Sequence, residues 1–209
     1  MQEAKDDGLS ATTKIQTWCD DNGLMLNVKK SQELLVMFKR CNIEPLPNIP
    51  QVTTIKLLGV HIDQHLKFDT HINIICKRSK NIIWQINGLK RNGYFRGELE
   101  IIYNSLVLGT LKYGICVWGG ISSSLVERIN SVQRLARRLG IIHTFTPIQN
   151  HIREADERLL SSIYMNPGHP LKKFYPERSG YATERLRDRH PHKRSHDQTI
   201  FPCRVIKTF

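Results

Sequence analysis

The sequence predicts an α+β fold in which a small antiparallel sheet is followed by a mostly helical bundle and an irregular basic tail. Three observations predict it. Short runs rich in β-branched residues fall before position 63. Apolar stripes at helical spacing fall between about 69 and 140. Beyond about 146, prolines and clustered cations interrupt any regular period. The chain is expected to divide into residues 1–50, 51–68, 69–145 and 146–209.

Thr12 to Asp21 reads as a short helix, with Ile15, Trp18 and Cys19 on one stripe and Asn22-Gly23 as its stop. Asn27 to Ser31 reads as a turn. Leu34 to Phe38 is a continuous apolar run, short enough for a buried strand. Pro45, Pro47 and Pro50 make the next stretch a loop. Val52 to Ile62 reads as a strand, with Leu58, Val60 and Ile62 alternating onto one face and Gly59 marking a bulge.

Asp69 or Thr70 can cap the next helix, whose stripe is Ile72, Ile75, Ile82, Ile86 and Leu89, with Ser79 between. Lys77, Arg78 and Lys80 lie off that stripe. A second helix fits Arg96 to Leu108, with Leu99, Ile102, Tyr103, Leu106 and Val107 inward. A third fits Ser124 to Leu139 on Leu125, Ile129, Val132, Ala136 and Leu139. Arg134, Arg137 and Arg138 fall on its opposite face, as 100° per residue requires. From Thr146 onward the six prolines and the cations of 172–194 suggest an extended, partly disordered tail.

The bulk numbers narrow the partner. The chain has 209 residues, 40% hydrophobic, with a formal charge of +12. Residues 1–75 hold 8 Lys+Arg against 9 Asp+Glu, a net −1, while 76–209 hold 23 against 10, a net +13. A charge confined to one part favours a polyanion, nucleic acid first. Five widely spaced cysteines with no C-x-x-C fit a reducing intracellular compartment, nucleus or cytoplasm, better than a disulfide framework. Met1 to Asp7 is acidic and polar, unlike a signal peptide, and no apolar run is long enough to span a membrane.

Four segments carry a family resemblance. The run from Trp18 to Ser31 resembles the W-x-x-x-N-x-L-x-L-N-x-x-K-[TS] segment of non-LTR (LINE-type) retrotransposon reverse transcriptases, the fourth motif of their palm. Leu58-Gly59-Val60-His61-Ile62-Asp63, Leu66, Phe68 and His71-Ile72 resemble the primer-grip strand leading into the thumb. Tyr103, Leu111, Tyr113-Gly114 and Val117-Trp118 resemble the thumb itself, and Ile129, Val132-Gln133-Arg134 and Ala136-Arg137 resemble a later thumb helix. The four stand in the family's order over residues 12–140.

The resemblance implies a C-terminal piece of an RNA-directed DNA polymerase: the end of the palm in 1–50, the primer grip in 51–68, the thumb in 69–145, then the basic tail. The family polymerises through two magnesium ions held by palm carboxylates. Asp6-Asp7 lie too near Trp18 and follow no strand, and Asp20-Asp21 sit inside the fourth motif, so neither pair fits the catalytic one. No metal site is therefore expected in this chain, and no polymerisation by it alone. Lys30 matches the fourth-motif lysine, which by resemblance lies near the triphosphate and serves as a general acid. Leu58, Gly59 and Val60 match the primer grip. Lys77, Arg78, Lys80, Arg134, Arg137 and Arg138 are candidates for phosphates of an RNA template and DNA primer. His190, His192, His196 and Cys203 match the family's terminal zinc knuckle poorly. Two other origins stay open: a stand-alone, non-catalytic nucleic-acid-binding module, and a complete polymerase represented by this part.

Overall fold

The computed structural model describes residues 2–36, 45–174 and 203–207. They form two compact units. The first holds the residues up to His71 together with the strand Cys203–Lys207, and the second begins at Ile72. The α+β class is as expected.

The first unit opens with helix α1 (Gln2–Asp21), which extends ten residues ahead of the predicted start. Gly23, at φ 66°, ends it. Strand β1 (Gln32–Val36) follows a single 3-10 turn, Val28–Lys30. It pairs in parallel with β2 (Gln51–Val52), Glu33 opposite Gln51, and antiparallel with β5 (Cys203–Lys207), Val36 opposite Cys203. The sheet around β1 is thus a mixed one with β1 in the centre. The strand in the tail was not anticipated, because pairing across so long a separation leaves no local pattern. Buried Glu33 holds the proline loop to β1: its carboxylate accepts the Leu46 N–H at 3.0 Å, and its own N–H donates to Pro50 at 2.9 Å.

The predicted strand 52–62 is three short ones. After β2 come β3 (Thr54–Leu57) and β4 (Val60–Asp63), an antiparallel hairpin. Leu58 and Gly59 are its two-residue turn, at φ 46° and 86°. Two successive positive φ values are the type I′ pattern that matches strand twist. Gly59 therefore turns the chain where a bulge was expected. Leu58 leaves the face it was to share with Val60: it is 84% exposed, and Val60 is buried. Leu34, Val36 and Ile55 form the core here, with Val52 and Ile62 against them.

The second unit is helical. Helix α2 (Asp69–Arg91), whose first three residues belong to the first unit, begins at Asp69, which was expected as a cap. It buries Ile72, Ile75, Cys76, Ser79, Ile83 and Ile86. Ile83 takes the place expected for Ile82, because the stripe runs through Cys76 and Ser79. Next come α3 (Arg96–Ile102), a π-helical stretch Tyr103–Leu108 and α4 (Gly109–Lys112). The wider π turn aligns residues four apart. Leu99, Tyr103, Val107 and Leu111 are buried as a result, while Leu106, expected inward, is exposed. Short α5 (Ile115–Trp118) leads to α6 (Ser123–Arg138), which buries Leu125, Ile129, Val132 and Ala136 as expected.

The irregular tail expected from 146 contains instead helix α7 (Ile148–Met165), packed on α5 and α6. Pro147 and Pro167 bracket this helix and do not interrupt it, since proline is tolerated at a helix start and just past its end. Asn130 of α6 fixes its entry by accepting the Ile148 N–H at 3.0 Å and donating to Gln149 at 3.0 Å. Gly119 permits the close approach of α7: a Cβ there would lie 2.9 Å from Ile152 Cγ2 and 2.8 Å from the Ile115 carbonyl. Gly119→Ala is expected to destabilise this unit by about 1–3 kcal/mol, measured by urea denaturation followed by circular dichroism.

Candidate nucleic-acid interface

The residues resembling the family fall into two groups, a packed set and an exposed set. Tyr103, Leu111, Trp118, Ile129, Val132, Gln133 and Ala136 are all buried. Two of the segments meet at Tyr103 and Gln133: burial pushes the Tyr103 phenol up to about 12, and the Gln133 side chain beside it acts in the opposite direction. The Trp118 indole N–H donates to the Tyr113 carbonyl at 2.8 Å. These side chains hold helices together, and none of them is presented to a ligand.

The turn from β4 into α2 is likewise built by matched residues. Asp63 accepts the N–H groups of His65 (3.0 Å), Lys67 (3.1 Å) and Phe68 (2.6 Å). Leu66 and Phe68 take positive φ within that turn, at 53° and 60°. Buried His71 accepts the His61 N–H on Nδ1 at 3.5 Å, which requires that nitrogen to be unprotonated. Burial, then the neighbouring His61, lowers the His71 pKa and keeps the ring neutral.

The exposed set lies on both units. In the first, Lys30 is exposed on its 3-10 turn, where Asn27 Oδ1 accepts its backbone N–H at 3.2 Å. Leu58 and Gly59 form the exposed hairpin tip, while Val60 beside them is core. In the second, Lys77, Arg78 and Lys80 are exposed on α2. That helix carries no carboxylate after Asp69 at its first position. Arg128 of α6 donates to Asn73 of α2 and joins this basic surface. Burial pushes the Cys76 thiol up to about 11 against the pull of Lys80 and Arg128, which places both cations beside it.

The arginines of α6 are not equivalent. Arg134 is ion-paired with Glu127. The guanidinium of Arg137 sits 5.6 Å over the Phe145 ring, and Arg138 is exposed. Sequence reading missed Arg128 and Asn73, and also Trp84, which is 54% exposed on α2. Its signal was its place on the charged meridian of that helix, four residues beyond Lys80 and seven beyond Lys77.

Neither of the two acidic pairs lies in a strand turn. Asp6-Asp7 lie on the backbone of helix α1 and not in a strand turn, and Asp20-Asp21 form its last two residues. Asp20 accepts from Gln16 at 3.0 Å. Among the described residues no three His, Cys, Asp or Glu side chains are grouped to hold a metal. His190, His192 and His196 lie outside the described residues, and Cys203 begins β5. A cleft of about 370 Å³ is lined by Lys112, Cys116, His151, Glu154, Arg158 and Leu159. Its thiol is raised by burial and then by Asp156, so Cys116 is no ready nucleophile. Among the described residues no helix is long and apolar enough to cross a membrane.

One protein comparison bears on this arrangement. Over 135 residues the chain is 27% identical to the probable RNA-directed DNA polymerase from transposon X-element of Drosophila melanogaster. The chain is similar to part of a reverse transcriptase. The match takes in 60% of this chain and 14% of that polymerase, so the chain corresponds to a small part of the relative's length. No family model matches the chain, and no solved structure does.

Proposed function

We propose that the chain is the end of the palm, the primer grip and the thumb of a non-LTR, LINE-type reverse transcriptase, and that it holds RNA template and DNA primer without joining nucleotides itself. The observation that carries this reading is the exposed face of α2, where Lys77, Arg78 and Lys80 face solvent with no carboxylate beyond Asp69 on the helix. Such a surface binds phosphates by releasing their counterions. Arg137 and Arg138 extend the capacity, whereas Arg134 has a partner in Glu127. The similarity to a transposon polymerase supports the choice of nucleic acid over other polyanions. The role belongs to the nucleus or cytoplasm.

The hairpin tip supports a primer-grip role. An exposed Leu in the left-handed region costs about 1–2 kcal/mol that Gly or Asn would avoid, and strain of this kind gathers at functional positions. Leu58→Asn would create the Asn-Gly turn favoured in hairpins. It is expected to stabilise the protein by about 1 kcal/mol and to weaken its hold on a primed template, measured by thermal melting and by anisotropy with labelled hybrid. Lys30 is exposed and suits a phosphate contact. With no fitting carboxylates among the described residues, no proton transfer is assigned to it.

The test of the reading is a salt titration of anisotropy with a labelled RNA–DNA hybrid, run beside primer extension with magnesium. Binding that weakens steeply with salt, and no extended product, are expected. Affinity that stays flat from low to moderate salt would remove the phosphate contacts. Clear extension by the chain alone would overturn the non-catalytic role.

A further inference from the structure

Helix α2 carries an aromatic ring where its charge is concentrated. At 100° per residue, Lys77, Lys80, Asn81, Gly88 and Arg91 all fall within about 60° of Trp84 around the helix. Trp84 is 54% exposed, whereas Trp118 in the same unit is fully buried. The ring therefore does not serve the core. One turn further on, Gly88 offers no side chain, and a Cβ there would meet nothing within 4 Å. The surface one turn beyond Trp84 is thus open. With a rise of 1.5 Å per residue, Lys80 lies about 6 Å along the axis on one side of Trp84 and Arg91 about 10 Å on the other. Lys90, nearby in sequence, is occupied: its ammonium donates to the Leu139 carbonyl at 2.6 Å.

We propose that Trp84 is a stacking platform for an unpaired nucleobase, with Lys77, Lys80 and Arg91 holding the phosphates on either side. The proposal rests on the nucleic-acid reading of the α2 face and narrows its ligand to a single-stranded segment. Paired bases are stacked on their neighbours and present only edges and backbone, so a flat ring gains little from a duplex. An unpaired base offers a π-face that indole covers regardless of base identity. The cations around the ring make this stacking part of one binding surface, since each phosphate they neutralise draws the strand across it. An acidic protein partner would satisfy the cations and leave the ring unused.

The experiment uses the full chain, a 12-nucleotide oligo(U) RNA and a blunt RNA–DNA hybrid of the same length, all by fluorescence anisotropy. Trp84→Ala is expected to weaken oligo(U) binding about tenfold with the slope against salt unchanged. Its binding to the blunt hybrid is expected to stay within about twofold. Trp84→Phe, which keeps a ring, is expected to recover most of the loss. Lys77→Ala with Lys80→Ala should instead lower the slope on oligo(U) by about 0.7 per cation. In a Trp18→Phe background, oligo(U) should quench the exposed indole emission. If Trp84→Ala binds oligo(U) like wild type, the platform is refuted while the basic face stands. Equal losses on both ligands would also refute it, because a duplex has no free base to stack. A wild-type chain that binds neither ligand would overturn the nucleic-acid reading beneath it.

Discussion

Replacing Lys77, Arg78 and Lys80 together by alanine is expected to lower affinity for an RNA–DNA hybrid on the order of 10²-fold at 0.1 M salt. The same change should reduce the slope of log affinity against log salt by up to about 2.7. Both numbers follow from about 0.9 per phosphate neutralised. The three side chains are exposed on α2 and replace no core atom, so stability should move by no more than about 0.5 kcal/mol. Anisotropy titrations at three or more salt concentrations separate the two effects. Arg134→Ala is the control. That guanidinium is already paired with Glu127, and its loss should change the slope far less. A triple variant with the wild-type slope would show that this helix face does not touch phosphate.

Asp63→Ala should cost the first unit about 2–3 kcal/mol. Its carboxylate accepts three backbone N–H groups, and hydrogen bonds to a charged group contribute about 1.5–3 kcal/mol each. The three do not add in full. The N–H groups of His65 and Lys67 are exposed and find water once the carboxylate is gone, whereas that of Phe68 is partly buried. The turn also holds Leu66 and Phe68 at positive φ, conformations that need outside support. Asp63→Asn, which keeps an accepting oxygen, should lose roughly half as much. Chemical denaturation followed by circular dichroism measures both variants. Equal losses for Ala and Asn would mean that the charge, and not the acceptor geometry, holds the turn.

How far the sequence could be read depended on whether the cause of each element was local. The start and most of the stripe of α2 were legible, because helical spacing and an acidic start are written in adjacent turns, although Ile83 and not Ile82 faces inward. The hairpin was not: its first turn position is a Leu, and a turn that needs positive φ normally signals itself with Gly or Asn. Helix α7 was hidden by its own prolines, although the stretch between Pro147 and Pro167 contains none. The π turn shifted the inward face after Ile102, which a fixed period cannot anticipate. In the candidate site, the cations of α2 were legible as residues off the apolar stripe. The neutralisation of Arg134 was not, because Glu127 lies seven positions earlier and such a pair is seldom looked for. Trp84 escaped notice because an aromatic on an amphipathic helix is ordinarily assigned to the interior.

The central place of β1 has a consequence for how the molecule is made. One of its neighbours, β2, is synthesised soon after it, but the other, β5, follows only after helices α2 to α7 have been made. Closing that long loop costs entropy and slows folding. Helices α2 to α7 can meanwhile collapse as they emerge. During translation β1 would therefore wait with one set of backbone groups unpaired, open to a neighbouring nascent chain until β5 arrives.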